Sequence, residues 1–208
     1  MGDIPYPWVK YKLLGNASKG MSEAAETVLS LRDKIVQLGG SLEAASGLGP
    51  TVRVPINRSL ADQVPRLAEE LHRTSDEQLD TTQQIIKYQS IAWGYIVAAT
   101  AETGNKLRAE HAEHALEYIE QCAKLISLAM NESKDRKFAN WIAGINAVDS
   151  LNHNKAIALA VKINAGQSKA IQEMIEALRL ISEDYKVKFD PEHHPDIMLA
   201  LKNRGALS

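Results

Sequence analysis

Between Phe138 and Tyr185, apolar positions recur at alternating spacings of three and four residues. This spacing matches the period of an α-helix that buries one face. Because a helix rises 1.5 Å per residue, a single helix of about 50 residues would extend roughly 75 Å, beyond the ~30 Å of ordinary helices in a compact domain. The pattern therefore predicts one very long helix over 133–185 in an elongated molecule. The alternative is that Gly144, 152–154 or 164–166 divides it, since Gly and Asn are poor helix formers.

The same spacing predicts three earlier helices and one short late helix. They are 22–38 with Ser22 as N-cap, 62–103 with Asp62 as N-cap and Pro65 in the first turn, 105–130, and 195–203. A break near Thr74 is an alternative for the second helix, because Ser75 followed by Gln78 has the pattern of a capping box.

The predicted fold is an all-α, elongated antiparallel helical bundle with long coiled-coil-like helices and extended terminal arms. The predicted divisions are an N-terminal arm (1–21), the bundle (22–186, with a linker at 41–58) and a tail (187–208) that contains the short helix. The linker is rich in Gly, Ser and Pro, and the prolines of the first arm disfavour helix.

Charge and hydropathy exclude several classes of function. The 24 Lys and Arg nearly balance the 26 Asp and Glu, so nucleic acid is not expected as a partner. The apolar run 91–101 is shorter than the roughly 20 residues of a membrane helix. The first residues lack the pattern of a signal peptide, so the expected location is the cytoplasm, with signal-less export or a virion left open.

The apolar run 91–101 is also the main indication of self-association. If the helices reverse at Gly104 and near Ser133, this run lies level with a second all-apolar stretch, 156–161. A helix that is apolar on every side must be covered on every side, by this chain or by other subunits. The sequence predicts a homo-oligomer whose candidate interface residues, or membrane-inserting residues, are Trp93, Tyr95, Ile96 and Val97 of this level and Tyr6 and Trp8 of the arm.

The same reversal about Ser133 would bring His111 and His114 close to His153. Three imidazoles between helices are suitable ligands for zinc or iron. A di-iron site would need two Glu-x-x-His repeats, and the sequence contains one, Glu69 with His72. The alternative is a polar layer that fixes the register of the helices, with Asn152 in the same seam.

No catalytic residue is predicted, because the sequence contains neither a serine nucleophile elbow nor a phosphate-binding glycine loop. The predicted function is a non-enzymatic helical bundle that acts through protein contacts and self-associates as a scaffold, coat or filament-type subunit. The alternatives are an α-helical pore-forming or membrane-inserting toxin and a metal-binding bundle. No cofactor is predicted apart from the metal at the histidines.

Overall fold

The computed structural model describes residues 22–39, 62–132, 147–166, 170–181 and 195–203. These residues form a helical bundle and contain no strand, which confirms the all-α prediction. The helices are α1 (Glu23–Gly39), α2 (Gln63–Arg73), α3 (Thr81–Ala101), α4 (Asn105–Glu132), α5 (Ala147–Asn164), α6 (Ile171–Ile181) and α7 (Pro195–Asn203). The predicted arm 1–21 with Tyr6 and Trp8, the linker 41–58 and the tail outside α7 lie outside the described residues.

The first helix begins where its capping residue predicts. The Ser22 hydroxyl accepts a hydrogen bond from the Ala25 backbone N–H at 3.2 Å, as an N-cap does. It also donates to the Gln78 carbonyl oxygen at 2.8 Å. The start of α1 is therefore fixed beside the turn between α2 and α3.

The region predicted as one helix over 62–103 is divided after Arg73. Asp62 precedes α2 as predicted, although its side chain makes no capping hydrogen bond. A short 3₁₀ turn (Asp76–Gln78) follows, and α3 starts with a capping box in which Asp80 and Gln83 bind each other's backbone N–H groups at 2.8 and 2.9 Å. The break near Thr74 is confirmed, but the capping box lies at Asp80 rather than at Ser75.

The prediction of one helix over 133–185 is wrong, and the alternative of a division at 164–166 is confirmed. Helix α5 ends at Asn164, and Gly166 follows with φ of 101°, a left-handed conformation that glycine adopts far more readily than other residues. A separate helix, α6, begins at Ile171. The spacing of apolar residues continues across this break because both helices bury a face, so spacing alone does not reveal it. The longest helix among the described residues, α4, has 28 residues, so the helix of about 50 residues that predicted an elongated molecule is not formed.

Helix α3 lies at the centre of the bundle and packs against α1, α2, α4 and α5. Every residue from Ile91 to Ala99 is buried. The chain's own helices therefore cover the apolar level, so of the two alternatives, cover by this chain or by other subunits, the described residues show the first. Helices α1, α2, α4 and α5 together supply this cover.

Candidate functional site

The register of the helices determines which polar side chains meet. Between α3 and α4 it follows the predicted reversal at Gly104, since Arg108 Nε donates to the Ala99 carbonyl at 3.3 Å. Between α4 and α5 it does not. A reversal at Ser133 would place Glu113 opposite His153, whereas Glu113 forms an ion pair with Lys162.

This shift in register separates the predicted histidine layer. His153 is buried on α5, nine residues before Lys162, which corresponds to about 13 Å along the helix axis. Among the described residues, no group of three or more His, Cys, Asp or Glu side chains could hold a metal ion. The predicted metal site at His111, His114 and His153 is therefore not formed, and Asn152 lines a shallow cavity between α4, α5 and α6 instead.

His111 and His114 pack against an aromatic cluster that we call the tyrosine patch, made of Tyr88, Tyr95 and Tyr118. The Tyr118 ring stacks between the other two, with ring centroids 6.1 Å from Tyr88 and 6.0 Å from Tyr95. His114 and His111 lie 5.1 and 6.0 Å from the Tyr95 ring. Tyr88 and Tyr118 are half-buried, and Tyr95 forms the base of the patch with 8% of its surface exposed.

A buried lysine holds one end of the tyrosine patch. The side chain of Lys87 is only 3% exposed, and its ammonium donates to the Thr74 carbonyl at 2.7 Å and to Asp76 Oδ1 at 2.6 Å. The Tyr88 hydroxyl donates to Asp76 Oδ2 at 2.5 Å. Burial would raise the pKa of Asp76, but the hydrogen bonds from Lys87 and Tyr88 outweigh it, so the pKa lies below its usual value. Burial and the Asp76 carboxylate together raise the pKa of Tyr88.

We expect Lys87→Met to lower the free energy of unfolding by about 2 kcal/mol, because hydrogen bonds to charged groups contribute roughly 1.5–3 kcal/mol each and the half-exposed Asp76 regains some water. Urea denaturation measures the change. The matched control is Lys124→Met, which removes an exposed ion pair with Glu120 and should change stability by less than about 0.5 kcal/mol. Equal effects of the two substitutions would show that Lys87 does not hold the turn.

The other end of the patch is bordered by histidines and carboxylates. The Tyr118 hydroxyl and His72 Nδ1 share a hydrogen bond of 2.9 Å, and His114 lies 3.3 Å from a Glu117 carboxylate oxygen. Burial raises the pKa of both Tyr95 and Tyr118, and the nearby Glu117 adds to this effect. Burial also lowers the pKa of His111, although carboxylates nearby oppose the shift. The phenols are thus neutral at pH 7, and burial favours the uncharged form of the His111 imidazole.

Carboxylates border the patch, and basic or histidine side chains partner them. Helix α4 has four glutamates and no lysine or arginine from Ala109 to Ala123. Glu69 and Glu117, whose charges act on Tyr95, have side chains that are 58% and 62% exposed. Lys87 is buried against Asp76 and does not reach the surface. Arg73 lies 3.7 Å from the Glu69 carboxylate, and Lys106 and Lys124 pair with Glu110 and Glu120, so the patch presents aromatic rings bordered by ion pairs.

Only part of this site is among the residues predicted from the sequence. Trp93, Ile96 and Val97 lie in the core of the chain, whereas Tyr95 lies at the base of the patch. Tyr88 and Tyr118 were missed as a pair. Their proximity could have been predicted from the reversal at Gly104. That reversal places Tyr88 opposite Glu120, within one helical turn of Tyr118.

Comparison with known proteins finds no matching protein family, no matching curated protein and no matching solved structure. In the part of the chain that the structure describes, no helix combines the length and the apolarity needed to cross a membrane. The assignment of the site consequently depends on the chemistry of its own residues.

Proposed function

We propose that this chain is a non-enzymatic helical bundle that acts through protein contacts and self-associates in the cytoplasm as a scaffold, coat or filament-type subunit. The observation that supports this proposal is the tyrosine patch. Tyrosine is enriched at protein interfaces because it offers a large contact area, a polar hydroxyl and only two side-chain torsions to fix. Here three tyrosines are already held by stacking and by hydrogen bonds to Asp76 and His72, so little side-chain entropy is lost on binding.

Exposed leucines give weaker support. Leu107 and Leu128 on α4, Leu180 on α6 and Leu199 on α7 are each about half exposed or more. Single apolar side chains at the surface are common in monomeric proteins and need no partner. The contiguous tyrosine patch is therefore the better candidate for the contact surface.

The two alternative functions differ in how they stand against the described residues. The membrane-inserting alternative requires that the apolar level 91–101 be hidden until the protein meets lipid, so its cover by the chain's own helices is compatible with that alternative. The metal-binding alternative depends on a histidine layer that the register of α4 and α5 separates. Protein contact is thus the function for which the described surface offers a specific feature.

The test is the absolute mass in solution, measured by size-exclusion chromatography with light scattering at two concentrations about a hundredfold apart. We expect a multiple of 22.9 kDa at the higher concentration. Tyr118→Ala should weaken association about tenfold or more, because truncating an aromatic anchor at an interface commonly costs over 1 kcal/mol. Leu180→Ala, which truncates an exposed apolar residue away from the patch, is the control. A strictly monomeric protein at both concentrations contradicts the proposal.

A further inference from the structure

We propose that the cavity between α4, α5 and α6 binds a short apolar peptide, about three residues long, by its free amino and carboxyl ends. This cavity lies apart from the tyrosine patch, and the inference does not depend on self-association. It rests on the apolar lining of the cavity, on two charged side chains that line it without an ion-pair partner, and on the distance between them.

The cavity exists because α5 packs against both α4 and α6, whereas α4 and α6 are not packed against each other. The face of α5 between them is left open over a volume of about 540 Å³, within the roughly 300–1,000 Å³ of ligand-binding cavities. Its apolar lining comes from Leu116 and Ile119 of α4 and from Leu151 and Leu159 of α5. This lining favours an occupant with apolar side chains, because binding removes both surfaces from water.

Most of the charges that line the cavity already have partners. Lys162 forms an ion pair with Glu113, and Glu120 pairs with a lysine of its own helix at 3.0 Å. Lys155 and Glu173 also line the cavity, and among the described residues neither takes part in an ion pair or a side-chain hydrogen bond. One ammonium and one carboxylate are therefore available to a ligand.

These two free charges lie at different levels of the cavity. Lys155 is seven residues before Lys162 on α5, close to two turns, so the two lysines share one face and are about 10 Å apart along the axis. Lys162 is in the last turn of α5, and Glu173 is in the first turn of α6, the next helix. Because the connection is short, these two turns lie side by side. Glu173 is thus at the Lys162 end, about 10 Å from the level of Lys155.

The separation of the two charges determines the class of ligand. A single amino acid carries its ammonium and carboxylate on one carbon and cannot reach both levels. A fatty acid offers a carboxylate to Lys155 but nothing to Glu173. An extended peptide advances about 3.3–3.6 Å per residue, so three residues span roughly 10 Å. Its amino end then meets Glu173, its carboxylate meets Lys155, and its side chains lie over the apolar lining.

The experiment is isothermal titration calorimetry of the full-length protein with three peptides: trileucine with free ends, N-acetyl-trileucine and trileucine amide. The wild type should bind trileucine. Each cap should weaken binding at least about tenfold, because it removes one of the two charges that the cavity pairs.

Two variants identify which side chain binds which end. Lys155→Met should weaken the binding of trileucine about tenfold and leave that of the amide as in the wild type, because the amide has no carboxylate to pair. Glu173→Gln should show the same pattern with the acetylated peptide. Lys155→Arg keeps the positive charge and should keep the preference for a free carboxylate. A merely structural role of either side chain does not produce this crossed pattern.

The matched controls are Glu176→Gln, exposed on α6 outside the cavity lining, and Lys34→Met, exposed on α1. Both should bind all three peptides as the wild type does, and circular dichroism checks that all variants fold. A wild type that does not bind trileucine at millimolar concentration overturns the inference. So does equal binding of the three peptides, or equal weakening of all three by Lys155→Met and Glu173→Gln. None of these results affects the proposed self-association, which light scattering tests separately.

Discussion

Replacing Trp93 with Ala should lower the free energy of unfolding by about 4 kcal/mol, within the 3–5 kcal/mol typical of a fully buried aromatic residue. Trp93 is 1% exposed and lies in the middle of α3, which other helices cover on every side. The surrounding backbone is helical and can collapse only partly into the space left by the indole. Urea denaturation followed by circular dichroism measures the change, and the effect should not depend on protein concentration.

Trp93→Phe is the matched control for this substitution. Phe keeps most of the apolar volume and removes an indole N–H that has no hydrogen-bond partner among the described residues. Its cost should therefore be about 1–2 kcal/mol, since only part of the packing is lost. If Trp93→Ala weakened association and left stability within about 1 kcal/mol of the wild type, Trp93 would lie at an interface, as the sequence alone suggested.

The helices that the sequence predicts correctly are those whose ends are determined locally. Ser22 caps α1 with its own side chain, and α4 follows the turn at Gly104. The short helix α7 starts at Pro195, whose fixed φ suits a first helical position. These signals involve residues within one turn of each other, so they are visible in the sequence.

The division between α5 and α6 is visible in the sequence only as one of three possible breaks, because Gly and Asn are poor helix formers wherever they stand. Gly166 follows the end of α5 with a positive φ. The spacing of apolar residues reports which face of a helix is buried and carries no information about backbone φ. The spacing of apolar residues also does not determine the register of α5 against α4. That register depends on the residue at which the chain reverses between the two helices. Placing that reversal at Ser133 misplaced His153 relative to His111 and His114.

Coverage of α3 depends on contacts between residues far apart in the sequence. An apolar pattern on every side of a helix predicts that it is surrounded, but not by which helices. The contacts of α1 and α2 with α3 show that helices of the same chain cover it. A substitution at the point where these three helices meet therefore tests the cover directly.

Gly94 lies at that point. A Cβ atom added to Gly94 would lie 3.4 Å from Ala68 Cβ, 3.4 Å from Val64 Cγ1 and 3.6 Å from Ile35 Cδ1, all ordinary van der Waals distances. The methyl group of Gly94→Ala should therefore fit. Alanine favours the helix by up to about 1 kcal/mol over glycine, which offsets the slight crowding of the added methyl group. We expect its free energy of unfolding to lie within about 1 kcal/mol of the wild type.

Gly94→Leu should instead lower the free energy of unfolding by about 3 kcal/mol, at the upper end of the usual cost of overpacking. Leu adds three carbons beyond Cβ, and the neighbouring atoms of α1 and α2 already lie at contact distance. These two helices must shift away from α3 to admit them, which exposes apolar surface of the central helix. Urea denaturation of both variants measures the difference. Equal stability of Ala and Leu at this position would mean that α1 and α2 do not pack closely on α3, and that the apolar level has another cover.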